Sequence, residues 1–583
     1  MRRSLIAAVL LVTASAAPAA PVDDLHALID EHWAMTMRDS PFTATFVGEP
    51  GYDDRLDDIG LAAADARASA NAALLKKLKA IPAAALPAAD RANKLILERS
   101  LKEAIEANGF GQRMILFTNR EGLHQTIAGL ADITGFRGKA DYANYLTRLE
   151  KYPALNDEMI RITEQAVKGG YTQPCEAMVG FEGSITGVIA DDPVKSRFYA
   201  PFSGPKPADA SDAEWAALQA RARALITGRL NPAYAKFDRF YREHYAPNCR
   251  KSPSVSAQPD GAKYYAFRIR QETTTDLTAD QIHAIGLDEV KRIRAEMEAV
   301  AGKAGATSRE AFIEQLRTDP KYYARTPEEL MAAAALMAKT IDGKMPGLFG
   351  RLARLPYGVR AIPAETAEGT TTAYYMPGSV DAGRAGFYYV NTSKLDQRPL
   401  WELPALTVHE AVPGHHQQIA LQQELDLPKF RKYLAGFTAF VEGWGLYSER
   451  LGIEMGLYDT PEKEMGRLSY EMWRACRLVV DTGIHAKGWS KAQAVAFMKD
   501  NTALTDANIE AEVNRYIAWP GQALAYKLGE LRIRALRARA ESALGEKFDL
   551  RHFHDAVLGQ GAVPLDVLEA QIDAWIAAEK ARG

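Results

Sequence analysis

Residues 409–418 read H-E-A-V-P-G-H-H-Q-Q, and the fold turns on how that stretch is read. Histidine followed by glutamate opens H-E-x-x-H, in which two histidines one helical turn apart bind zinc and the glutamate serves as base. Here the fourth residue after His409 is Pro413, and His415 and His416 come two and three positions late. On a regular helix His415 would sit about 120° from the face of His409, and His416 about 10.5 Å further along that face. Pro413 removes an intrahelical donor and clashes with the carbonyl of His409, so Pro413-Gly414 is expected to kink or widen the helix. A widened turn of the π type that absorbs two residues would bring His415 to the place of the second ligand. His415 is preferred for that reason, with His416 as its neighbour, though the spacing alone leaves both open.

Lone histidines on helices are mostly structural, so the clustering matters: three of the 11 histidines lie between 409 and 416. Two imidazoles, one carboxylate and a water make a common catalytic zinc set. TAFVEGWGLYSERLG, from Thr438, supplies the carboxylate. Glu442 and Glu449 are two helical turns apart on one face. One can ligate while the other orients a histidine ligand.

The rest of the chain sets the context. It has 583 residues, 47% hydrophobic and 25% charged, with a net charge of −3. That length allows a large buried core in several lobes, and the charge gives no reason to expect nucleic acid or an anionic membrane as partner. Met1-Arg2-Arg3, the apolar run Ser4–Ala16 and the small residues after it read as a secretory signal peptide over 1–20. A periplasmic or secreted protein is expected. The first of the three cysteines is Cys175, which argues against a lipid-bearing cysteine at a mature N-terminus, and no later stretch looks like a membrane anchor. Cys175 and Cys249, both beside proline and turn residues, are expected to pair, as export permits. Cys476 lies in a helical pattern as a buried thiol.

Apolar spacing near 3.6 predicts helices over Asp23–Met37, Ala62–Leu78, Ala88–Asn108, Asp212–Leu230, Ala279–Ala301, Thr326–Asp342, Lys491–Asp500, Pro520–Leu544, Leu550–Leu558 and Pro564–Ala577. Strand patterns are few: Lys263–Thr275, Thr370–Met376 and Gly386–Asn391, the last two joined as a hairpin upstream of His409. The fold expected is mainly α, with a small antiparallel sheet beside the His409 helix. An N-terminal helical lobe over 21–260 would precede a zinc-binding lobe over 261–583.

TVHEAVPGHHQQIAL, VEGWGLYSERLG, RLVVDTGIHAKGWS and WPGQALAYKLGE with the later FHDAVLGQG resemble the bacterial H-E-x-x-P-G-H family, domain of unknown function 885. The resemblance spans most of the chain. That family is placed in the zincin-like peptidase clan, and its helical build is similar to thimet oligopeptidase and angiotensin-converting enzyme. The resemblance implies a zincin-like helical fold and zinc-dependent peptidase activity. It puts one Zn2+ on His409, His415 and Glu442, and makes Glu410 the catalytic base. Related helical zincins use a late tyrosine to donate to the oxyanion, which makes Tyr526 the first candidate for that role.

Other candidates rest on their chemistry. Arg515 and Tyr516 could meet the substrate, an arginine there holding a carboxylate bidentately. His485 shares a helix face with Asp481 and is a candidate catalytic His–Asp pair. GFYYVN, with Tyr389 and Asn391, is expected to bind an extended peptide as an edge strand. His552 and His554 read as structural. The leading function is secreted zinc-dependent hydrolysis of short peptides. Two alternatives stand beside it: a zinc amidase acting on N-acyl amino acids, isopeptides or cell-wall fragments, and a non-catalytic binding protein on the same scaffold.

Overall fold

The computed structural model describes residues 21–367 and 370–582; the expected signal peptide lies outside them. The architecture is mainly helical. The principal helices that frame the site are α1 (Pro21–Asp39), α2 (Leu61–Ala80), α3 (Ala88–Asn108), α4 (Gly261–Thr273), α5 (Ala279–Lys303), α6 (Leu403–Glu410), α7 (His415–Glu424), α8 (Thr438–Leu451), α9 (Pro461–Lys487), α10 (Asp506–Ala518) and α11 (Ala525–Leu544). Caps define several starts. Thr278 accepts from the backbone N–H of Gln281 at the head of α5, and Thr460 from that of Lys463 at the head of α9, as hydroxyl caps do.

The segment Lys263–Thr275, expected as a strand, is the helix α4. Its alternation was coincidental: Tyr265, Ile269, Glu272 and Thr273 are buried at helical spacing. Tyr265 and Ile269 join Leu478 and Leu524 in a small core. A burial partner at period 3.6 overrides β propensity.

The sheet has three strands, β1 (Tyr357–Ala361), β2 (Ala373–Met376) and β3 (Gly386–Val390), in the order β1-β3-β2. β2 and β3 form the expected antiparallel hairpin, while β1 lies parallel to β3 on its other side. So β3 is central, and the expectation of a peptide-binding edge strand fails because both its edges are already paired. Tyr388 points inward, buried, toward Thr407 of α6 (3.5 Å). Tyr389 therefore faces away from α6, by strand alternation, and stacks on Tyr374.

The cores do not divide at residue 260. α1, α2 and α3 share one apolar core with α8, α11 and the C-terminal helices, while residues 117–245 have a core of their own, rich in Phe and Tyr. α6, α9 and α10 pack with the sheet in another. Cys175 and Cys249 form a disulfide, and Cys476 is a buried free thiol. Among the described residues no helix is long and apolar enough to cross a membrane.

Candidate metal centre

α6 ends at Glu410 and α7 begins at His415, so the quoted stretch is not one widened helix. It is a break between two helices, with a cis Val412–Pro413 bond at its centre. The Gly414 N–H reaches back six residues to the Val408 carbonyl (2.9 Å), and the His416 N–H reaches the Ala411 carbonyl (3.0 Å). Both loops are longer than the four-residue step of an α-helix. The extra residues are taken up here, as the sequence suggested, but by a break rather than a π turn. Gly414 is required: a Cβ there would lie 1.9 Å from the His409 carbonyl oxygen. The Trp444 indole N–H donates to the Pro413 carbonyl (2.8 Å) and ties the break to α8.

This break brings His415 to His409. The two rings are 4.7 Å apart at 88°. Glu442, on α8, has one carboxylate oxygen 3.6 Å from His409 Nε2 and 3.4 Å from His415 Nε2. α8 can approach this closely because position 445 is glycine; a Cβ there would stand 2.7 Å from the His409 ring. His416, the competing histidine, is engaged elsewhere. Its Nε2 donates to the Leu355 carbonyl (2.9 Å) and its Nδ1 accepts from the Tyr375 hydroxyl (2.8 Å).

The donor set fits zinc. Zinc binds imidazole nitrogen and carboxylate oxygen at about 2.0–2.2 Å in a tetrahedron, whose edges are then about 3.3–3.6 Å. The 3.4 and 3.6 Å separations from Glu442 match such edges. Glu442 Oε2 is buried and accepts no hydrogen bond, a costly state unless a cation answers it. Glu449 orients the first histidine: it accepts from His409 Nδ1 (2.8 Å), which turns the Nε2 lone pair toward Glu442. Arg474 stands 3.3 Å from the same Glu449 oxygen. Electrostatics agree. Burial would push Glu442 up, but the charges of His415 and His409 outweigh it and hold it well below the usual carboxylate range. Burial would lower His409, yet Glu442 and Glu449 lift it to about 9. The pocket is built to hold positive charge.

Glu410 follows His409 directly and is buried. Among the described residues no hydrogen bond or ion pair engages its carboxylate. Tyr526, on α11, stacks near His409 with ring centroids 6.3 Å apart. Its hydroxyl accepts from Arg515 (2.9 Å). Arg515 therefore belongs beside the centre.

Five other residues singled out from the sequence are committed elsewhere. His485 Nε2 donates to the Tyr516 carbonyl (2.9 Å), and its Nδ1 accepts from the Val255 N–H (3.0 Å). Asp481 does not pair with it, but accepts from the Tyr265 hydroxyl (2.6 Å) and the Gly521 N–H (3.2 Å). The Tyr516 hydroxyl is buried and accepts from Trp473 (2.8 Å) and Arg477 (2.9 Å). Asn391 donates to the carbonyls of Ala367, Thr370 and Thr371 and accepts from Ser393, so it fixes the loop before β2. Tyr389 faces away from α6, as described above.

Sequence reasoning missed Arg120, Arg474, Arg477 and Glu512. Arg477 bonds Glu512 (2.7 Å), and Arg515 and Arg120 lie 3.5 and 3.8 Å from its other oxygen. Burial alone would raise Glu512, yet these three guanidiniums hold it at about 2. The signal was present for two of them: Arg474 and Arg477 sit one turn apart in a stretch of α9, MWRACRLVV, that is otherwise apolar. Arg120 had none, since it arrives from a distant segment.

A mainly helical chain with a buried His–His–Glu cluster at a broken helix is the class that fold and site define. The family model for bacterial proteins of unknown function, DUF885, matches residues 41–572. The chain belongs to that family. It is similar to a solved candidate lipoprotein from Colwellia psychrerythraea, 27% identical over 96% of this chain and 100% of that one, with a TM-score of 0.88. A candidate lipoprotein of unknown function from Shewanella oneidensis shares the fold, at 20% identity, 95% and 99% coverage and a TM-score of 0.69. No curated protein matches the chain.

Proposed function

We propose that the chain is an exported zinc-dependent metallopeptidase of zincin type that hydrolyses short peptides. One observation carries the reading: the buried, unbonded oxygen of Glu442, 3.4 and 3.6 Å from two imidazole nitrogens. His409, His415 and Glu442 would hold the ion. When bound, zinc makes a water acidic near neutral pH and draws electron density from a carbonyl oxygen. Glu410 takes the proton of the attacking water and returns it to the leaving nitrogen, a role its unengaged carboxylate suits. Tyr526, held by Arg515, donates to the oxygen that gains charge. The Cys175–Cys249 disulfide supports an oxidising compartment, and the lipoprotein descriptions of the two structural relatives agree with export.

The test joins metal analysis to a base variant. Purified protein and Glu410→Gln should both carry about one zinc per chain, and Glu410→Gln should hydrolyse a peptide library about 100- to 10,000-fold more slowly. A metal-free wild type, or a Glu410→Gln protein with full activity, would overturn the reading.

A further inference from the structure

The arginines around Glu512 outnumber their counter-charges. Arg120, Arg477 and Arg515 all lie within 3.8 Å of this one buried carboxylate. Guanidinium groups do not lose their protons in proteins, so among the described residues in contact the cluster keeps an excess of two positive charges, with Glu121, the exposed neighbour of Arg120, acting on it without an ion-pair contact. Its donors are also underused. Arg477 is 1% exposed, and its Nη1 has no hydrogen-bond partner. Among the described residues Arg120 makes only long polar contacts, 3.8 Å to Glu512 and 3.4 Å to the Thr371 hydroxyl. The side chains of Arg120 and Arg515 stay 24% and 12% exposed, so the cluster can be reached from solvent. Nearby Glu449 does not relieve the excess, because it is shared between His409 and Arg474.

The position relative to the metal centre gives the excess a use. Tyr526 touches both: its ring stacks near His409, and its hydroxyl accepts from Arg515 while Arg477 lies over its face at 4.3 Å. An extended chain covers about 3.5 Å per residue, so a peptide whose scissile carbonyl is at the metal reaches the arginines within a few residues. A planar carboxylate is the group that paired guanidinium donors recognise best.

We propose that Arg120, Arg477 and Arg515 bind the free α-carboxylate of the substrate, which makes the protein a peptidase that cuts close to the C-terminus of short peptides. The assignment rests on the metallopeptidase reading for its chemistry, but not for its binding. Arg120 comes from the segment Phe117–Gly122, at the edge of the N-terminal aromatic core, so substrate ends would be read across two parts of the chain.

The experiment uses short peptides in pairs, each as free acid and as C-terminal amide, on the full-length zinc-loaded protein. Free acids should be turned over at least about 30-fold more efficiently than amides, as expected when a buried charge pair loses one partner. Binding is measured separately by calorimetry on Glu410→Gln, so that a protein without turnover still tests the clamp. There the acids should bind at least about 30-fold tighter than the amides. Arg120→Gln should shrink that ratio and Arg120→Lys should restore part of it, which a merely structural arginine would not do. Equal binding of acid and amide overturns the proposal even if hydrolysis is found. Absence of hydrolysis with a preserved acid preference overturns the peptidase reading and leaves the clamp standing. Inorganic phosphate is the control: if it displaces the acids at equal concentration, the cluster is a general anion site and the peptide-end assignment fails.

Discussion

Two regions of this protein bury charge at comparable depth and differ in whether the charge is answered. Around Lys527, on α11, the ammonium lies within 3.0 Å of Glu289, Glu471 and Glu530. Arg292, Arg467 and Arg534 each add a contact to Glu471. Cations and carboxylates nearly balance there. On other helices, α6, α7 and α8, the His409–His415–Glu442 cluster leaves Glu442 Oε2 without a hydrogen bond, and Arg477 Nη1 on α9 has none either, whereas Glu530 Oε2, equally without a hydrogen bond, faces the Lys527 ammonium at 3.0 Å. Burial of charge is therefore no mark of function by itself. Ionic networks hold helices in place, and what distinguishes a site is valence left unmet where a ligand can supply it.

Removing Lys527 should have the largest effect, and on stability alone. Lys527→Met removes the one cation that Glu289, Glu471 and Glu530 share, leaving them only Arg292, Arg467 and Arg534, and should lower the unfolding free energy by about 3 kcal/mol. Urea titration measures this, and metal analysis of the same sample should still find zinc. If the variant unfolds no more easily and loses its metal, the two regions are not separable and the contrast fails.

A smaller effect is expected from Glu449→Gln. The amide oxygen can still accept from His409 Nδ1, so the ring keeps its orientation. The charge that makes the imidazole a stronger donor to metal is lost, and Arg474 loses its counter-ion. Outer partners of this kind are worth about 10- to 100-fold in metal affinity. A competition titration against a chelator should show that loss without the unfolding seen for Lys527→Met. Unchanged affinity would mean that Glu449 serves only the Arg474 pair.

The sequence exposed these regions unequally, for physical reasons. Helices such as Ala88–Asn108 and Leu550–Leu558 were readable to the residue because their apolar period and their ends are local properties. The candidate ligand trio was readable because His409, His415 and Glu442 lie within one short span of the chain. Lys263–Thr275 misled because Tyr264, Tyr265 and Phe267 carry strand propensity, while the partners that bury α4, Leu478 and Leu524, lie far along the chain. The clamp was half-legible: Arg515 stood out beside Tyr526, whereas Arg120 is brought in by tertiary contacts alone. His485 and Asp481 share a helix face as expected, but each found a backbone or hydroxyl partner before it could find the other.

The smallest expected effect concerns the histidines that lie outside the metal cluster. His554 is buried, its Nδ1 donating to the Leu348 carbonyl and its Nε2 accepting from the Tyr447 hydroxyl, both at 2.8 Å. Burial pushes it down to about 3 from the ordinary 6.5. It is thus neutral in the folded chain, whereas the unfolded chain takes up a proton below 6.5. Its contribution to stability is fully present above pH 6.5 and is lost progressively as the pH falls toward 3. Between pH 8 and pH 6 the loss is about 1 kcal/mol. Other groups titrate in the same range: Asp481, raised to about 7 chiefly by burial, works in the opposite direction. The measurement is therefore a difference. The stability gap between wild type and His554→Gln, followed by urea titration of metal-free protein, should narrow by about 1 kcal/mol from pH 8 to pH 6. His409 has the opposite design, two carboxylates holding its charged form, so a gap that stays constant or widens would put His554 in the same electrostatic class as the proposed metal ligands and dissolve the distinction between answered and unanswered histidines.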